Sequence, residues 1–148
     1  MKEEAVKRLR QFNRFYLPAM DLLNKNYVGT EFPLPEARVL YEIFIADGCT
    51  AAAIGKRMNL DKSYLSRIIK SHEKAGYLTR TVSPQDGRAY ELHLTEAGRR
   101  HADVFNERSD AQLADLLANL DEVDCCRLMA ALDTVTELLG GMSTVTLL

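Results

Sequence analysis

There is no tryptophan in the 148 residues, and there are only four prolines and three cysteines. So few cysteines, odd in number, build no disulfide framework. A reducing cytoplasm is the expected compartment. No apolar run approaches the roughly 18 residues that a membrane span needs. The start, MKEEAVKRLRQFNRF, is charged and helically periodic and has no signal-peptide centre. Secretion and membrane association are therefore not expected. Internal repeats and low-complexity segments are absent. His93 and His101 show no ligand spacing with a cysteine or carboxylate cluster, and Cys125 and Cys126 point about 100° apart on a helix. No metal or cofactor is expected. No nucleophile elbow or HExxH run occurs, so no catalytic residues are assigned and the chain is not read as an enzyme.

The composition is 47% apolar and 27% charged, ordinary for one globular domain. Neither sign of charge dominates: 19 basic and 21 acidic residues leave −2. The total speaks against nucleic acid, but the distribution does not. Residues 1–49 carry 7 Lys/Arg and 7 Asp/Glu, residues 50–100 carry 10 and 5, and residues 101–148 carry 2 and 9. A basic middle lies between a neutral and an acidic end.

Apolar residues at steps of three and four predict a first helix over 3–25: Val6, Leu9, Phe12, Phe15 or Tyr16, Met20 and Leu23. Pro18 lies inside it and predicts a kink. After a connector over 28–34, Pro35 suits the first position of a second helix, with Val39, Leu40, Ile43 and Phe44 inward and Gly48 placed to end it. Thr50 suits an N-cap for a short helix, Ala51 to Met58, closed by Asn59. Asp61 caps a fourth, Lys62 to Ala75, stopped by Gly76. Its inward stripe is Leu65, Ile68, Ile69, His72 and Ala75.

The period then changes from 3.6 to 2. Leu78–Val82 and Tyr90–Leu94 alternate around Ser83-Pro84-Gln85-Asp86-Gly87-Arg88, the signature of a hairpin with a long loop. Thr95 caps a fifth helix to about Ala118, with Ala102, Phe105, Leu113, Leu116 and Leu117 as core. Asp121 caps a sixth, whose stripe is Leu128, Met129, Leu132, Val135 and Leu139, ended by Gly140-Gly141. Residues 142–148 read as a frayed tail.

Two short helices joined by a tight turn and followed by a hairpin are the parts of a winged helix-turn-helix. A helix in a major groove must present groups that reach base edges and phosphates. The outward face of the fourth helix carries Lys62, Ser63, Ser66, Arg67, Lys70 and Lys74, with Tyr64 near its start. Arg67 suits a bidentate contact with guanine. Thr50, Arg80 and Arg88 complete the candidate DNA-binding set.

Three stretches resemble the MarR family of bacterial transcriptional regulators: LDKSYLSR over 60–67, KAGYLTR over 74–80, and DGRAYELHLTEAG over 86–98. The last carries Asp-x-Arg, a short β run and Leu-Thr-x-x-Gly. The resemblance implies a mainly α (α+β) fold. A winged helix-turn-helix DNA-binding domain over 34–100 would be flanked by a helical dimerisation region over 1–33 and 101–148. It implies an obligate homodimer straddling a pseudo-palindromic double-stranded DNA operator. Arg88 would enter a minor groove, with Asp86 and Gly87 stabilising the wing. It also implies a small aromatic or phenolic effector, for which Phe12, Phe15, Tyr16, Tyr41 and Phe44 are the candidate pocket. RQFNRFY over 10–16 and PEARVL over 35–40 are similar to the subset fused to an acetyltransferase.

The expected function is a cytoplasmic homodimeric transcriptional regulator, a repressor released by a small ligand. Three alternatives stand beside it. One is a redox switch at Cys49, Cys125 or Cys126, the second is the regulatory half of an acetyltransferase fusion, and the third is a dimerising interaction module without DNA activity.

Overall fold

The computed structural model describes residues 1–140. Gly141 and the expected tail over 142–148 lie outside the described residues. The order is α1 (Lys2–Ala19), a 3-10 turn (Tyr27–Gly29), α2 (Leu34–Ile45), α3 (Ala51–Met58), α4 (Lys62–Lys74), β1 (Leu78–Val82), β2 (Tyr90–Leu94), α5 (Glu96–Leu117) and α6 (Glu122–Gly140). No helix among them is long and apolar enough to cross a membrane.

The first helix ends at Ala19 and does not run on, kinked, to residue 25. Pro18 has no N–H to continue the ladder. Asp21 turns left-handed at φ 54°, and the Asp21 and Leu22 N–H groups close back on the Pro18 and Leu17 carbonyls at 3.1 and 2.9 Å. Pro33 takes the N-cap of α2, so Pro35 sits one position later than expected. The second helix stops at Ile45, and Gly48 (φ 80°) serves the following loop.

The core gathers Val39, Leu40 and Ile43 of α2, Ile54 of α3, Leu65, Ile68 and Ile69 of α4, Leu78, Leu92 and Leu94 of the hairpin, and Ala102 and Phe105 of α5. Phe32, which the periodicity did not single out, is buried among Tyr77, His101 and Phe105, with ring centroids 4.9–5.9 Å away. The packed unit thus draws on residues on both sides of the 34–100 stretch. Ala75, the C-cap of α4, is exposed rather than inward. So are Leu116 and Leu117 at the far end of α5, while Leu113 is half-buried.

The two strands pair antiparallel, with Leu78 opposite Leu94 and Val82 opposite Tyr90. The junction with α5 is tight. Thr95 N–H donates to the Tyr77 carbonyl at 3.0 Å, its hydroxyl donates to the Gly76 carbonyl at 2.6 Å, and the same hydroxyl accepts from Gly98 N–H at 3.2 Å. A Cβ on Gly98 would fall 2.0 Å from the Tyr77 carbonyl oxygen.

Neither α1 nor α6 buries a residue. Val6, Leu9, Phe12 and Phe15 on α1, and Met129, Leu132, Val135 and Leu139 on α6, keep their apolar faces open in one chain.

His72 Nε2–H donates to the Glu36 carbonyl at 2.9 Å. Burial holds its pKa below the ordinary 6.5, against the opposing pull of that carbonyl.

The packing at Gly98 and His72 can be tested directly. Gly98→Ala forces α5 off Tyr77 and is expected to lose at least about 1–3 kcal/mol, read as a lower urea midpoint. The His72 contribution is complete above the unfolded value of 6.5 and is lost as pH falls below it, because the unfolded chain takes up the proton first. His72→Gln keeps the donor without the titration, so its stability is expected to fall less than wild type's as pH drops below 6.5.

Candidate nucleic-acid interface

The α3–α4 corner is built by three local devices. Thr50 Oγ1 accepts from Ala53 N–H at 3.2 Å, Asn59 turns the chain at φ 50° and ψ 45°, and Asp61 Oδ2 accepts from Ser63 and Tyr64 N–H at 3.0 and 3.1 Å. The Thr50 side chain is thereby occupied as a cap. Gly55 lets Leu65 come close, since a Cβ on that glycine would lie only 3.3 Å from Leu65 Cδ2.

With Leu65, Ile68, Ile69 and His72 buried, α4 turns Lys62, Ser63, Tyr64, Arg67 and Lys70 to solvent, Lys74 extends that face at its end, and Ser66 is half-buried. The Arg67 guanidinium lies 5.8 Å from the Tyr64 ring centroid, a cation–π contact that narrows its conformational range. None of Lys62, Arg67, Lys70 and Lys74 has an ion-pair partner among the described residues. Arg80 differs, since its guanidinium is committed to Glu73 at the end of α4, Nη2 at 2.6 Å.

The wing tip is held from within. Ser83, buried although polar, accepts from Gln85 and Asp86 N–H at 3.3 and 3.4 Å. Asp86 Oδ1 accepts from Arg88 N–H at 3.0 Å. Arg88 itself is exposed. Gly87 has no left-handed φ, and a methyl there would meet nothing within 4 Å, so the turn does not depend on its being glycine.

The wing base is tied to the α2–α3 loop. Gly48 N–H donates to the Leu92 carbonyl at 2.9 Å and Leu92 N–H to the Cys49 carbonyl at 3.0 Å. His93 Nδ1 lies 3.1 Å from Asp47 Oδ1, and its Nε2 3.2 Å from Thr81 Oγ1. Behind the interface, Glu42 is a buried carboxylate, 4% exposed, held by Arg57 Nε at 2.7 Å and Arg38 Nε at 2.9 Å. It pins α3 to α2. Sequence reasoning missed Ser83, the Asp47–His93 pair and this triad. Pro-Gln-Asp after Ser83 was the one available signal, since serine two or three residues before such a run commonly accepts its N–H groups.

Burial pushes the Cys49 thiol above its usual pKa, against the nearby Arg57 cation, so the thiolate needed for redox chemistry is disfavoured there. A cleft of about 220 Å³ lies between α2, α5 and the 3-10 turn, with Tyr27, Tyr41, Phe105 and Leu113 on its apolar side and Arg38, Asn106, Ser109 and Asp110 on its polar side. Of the five aromatic residues expected to form a pocket, only Tyr41 lines it. Phe12, Phe15 and Tyr16 lie on the open face of α1, while Phe44 stacks on Tyr41 at 6.1 Å.

Residues 30–89 match the MarR family, a stretch that takes in the helix-turn-helix and the wing tip. That stretch is similar to MarR-family domains. The organic hydroperoxide resistance transcriptional regulator of Bacillus subtilis is 29% identical over 89 residues, 60% of this chain and 56% of that protein. The chain spans about half the length of several curated relatives it matches. In three dimensions the likeness covers nearly the whole molecule. Streptococcus pneumoniae FabT in complex with DNA superposes with a TM-score of 0.78 at 19% identity, over 93% of this chain and 99% of that one. A mutant MarR from E. coli complexed with operator DNA gives 0.72 at 21%, over 91% and 97%. The fold outside the matched stretch is therefore shared as well.

If Asp86 holds the wing tip, Asp86→Ala is expected to speed amide exchange at Arg88 about fivefold, the equivalent of one net hydrogen bond. Gly87→Ala should leave it unchanged. NMR exchange rates on the two variants check both.

Proposed function

We propose that the chain is a cytoplasmic, homodimeric transcriptional regulator, not an enzyme, that binds a pseudo-palindromic double-stranded DNA operator. The observation that carries this is the joint placement of two features on one unit: an unpaired cationic face on α4, and an exposed arginine on the tip of a pinned hairpin beside it. Lys62, Lys70 and Lys74 neutralise phosphates. Ser63, Tyr64, Ser66 and Arg67 face base edges. Arg88 enters the adjacent minor groove, where a narrow A·T tract concentrates negative potential. The known DNA complexes of FabT and MarR support the reading by shared fold.

The homodimer covers the open faces of α1, α6 and the end of α5, and sets two recognition helices about one helical turn, roughly 10 bp, apart. As a repressor, the protein is released by a small aromatic or phenolic effector. The 220 Å³ cleft offers such a ligand Tyr27, Tyr41 and Phe105 as walls and Asn106, Ser109 and Asp110 as polar partners. Effector and DNA then favour different spacings of the recognition helices, so each weakens the other's binding.

Salt titration is the direct test. A dimer that neutralises about 6–10 phosphates gives a slope of log K against log salt of roughly −5 to −9. A slope near zero on an inverted-repeat duplex removes α4 and the wing from any role with DNA.

A further inference from the structure

We propose that Arg80 is a positioning residue that fixes the angle between the wing and α4, acting through Glu73 and Tyr90. The inference rests on the DNA-binding reading of those two elements. Along β1, Leu78, Arg80 and Val82 share one face of the hairpin. On β2 the same face carries Leu94, Leu92 and Tyr90 by register. Its inner half, Leu78, Leu92 and Leu94, is buried in the core. Its outer half is not, with Val82 59% and Tyr90 52% exposed. Apolar packing therefore stops before the wing does.

Arg80 stands at that limit. Its Nη2 and Nε lie 2.6 and 2.9 Å from one oxygen of Glu73, in the last turn of α4. Its guanidinium carbon is 5.9 Å from the centroid of the Tyr90 ring. One planar cation thus joins the recognition helix to both strands. The other face of the hairpin is held by Asp47, His93 and Thr81. Restraints on two faces stop the hairpin from rocking. At about 3.3 Å per residue the wing tip lies roughly 10 Å beyond Arg80. A tilt of about 10° displaces Arg88 by about 2 Å, more than a hydrogen bond tolerates. Two of the three guanidinium nitrogens are already engaged, so Arg80 works within the protein and not on the nucleic acid.

The experiment uses the full-length protein and an inverted-repeat duplex selected with wild type. Arg80→Ala and Glu73→Gln are each expected to weaken binding about fivefold, the upper range for a partly exposed pair. Arg80→Lys recovers part of the loss, since it keeps the charge without the planar fork. In the Arg80→Ala background, Arg88→Ala should cost little more, because the tip is already misplaced. The combined exchange Glu73→Arg with Arg80→Glu leaves net charge unchanged and should restore most of the affinity lost by Arg80→Glu alone. A full Arg88→Ala cost in the Arg80→Ala background overturns the proposal, and so does an exchange that restores nothing. Residual dipolar couplings of residues 78–94 relative to α4, in DNA-free protein, give an independent reading. A wing orientation unchanged by Arg80→Ala overturns the proposal too. A changed orientation in a protein whose wild type binds no duplex sinks the DNA reading and leaves the positioning role standing.

Discussion

The contact on which the rest of the architecture depends is the one between Gly98 and the Tyr77 carbonyl. Four elements converge there, as the chain leaves α4 through Gly76, β1 begins, β2 ends and α5 departs. Thr95 stitches them with three hydrogen bonds around one hydroxyl and one amide. Only a residue without Cβ permits α5 to lie against the Tyr77 backbone. That approach brings Ala102 and Phe105 into the core and places Phe105 against Phe32. The base of the hairpin is anchored at this crossing.

Charge is sorted by depth as well as by sequence. The buried carboxylate of Glu42 is costly unless both arginines hold it, and removing either would leave a charge short of its partner. Arg38, Arg57 and Arg80 are spent on holding helices and strands together. The lysines and Arg67 of α4 are not. The basic excess of residues 50–100 therefore divides into cations that build the unit and cations left for something outside it. Composition alone could not make that division.

Local chemistry was legible in the sequence and distant chemistry was not. The bounds of α3, the caps Thr50, Asp61 and Thr95, the left-handed Asn59 and the hairpin strands all follow from residues within a few positions of one another, and the structure has them as expected. The apolar period of the first helix continues through Met20 and Leu23 although the backbone has already turned at Asp21, so periodicity overstates its length. Tyr90 and Val82 keep the strand alternation but lie beyond the core, so period 2 does not mean burial there. Arg80 reads as one more cation of a basic stretch until Glu73, one turn and a strand away, is seen to hold it. Asp47 and His93 are 46 positions apart, and no spacing rule relates them. Of the candidate site, the outward side of α4 and the exposure of Arg88 follow from local pattern, while the lining of the cleft does not, since it requires knowing how α2, α5 and the 3-10 turn meet.

The fifth helix is unbroken for 22 residues, a rod of about 33 Å. One end is clamped at Gly98 and the other carries the uncovered Leu116 and Leu117. Such a rod has no slack. Whatever surface seats Leu116 and Leu117 sets the heading of the winged unit at its opposite end, and a tilt of about 5° there swings that unit by roughly 3 Å. The fold is geared like a lever, with its fulcrum at the end of α5 farthest from the wing.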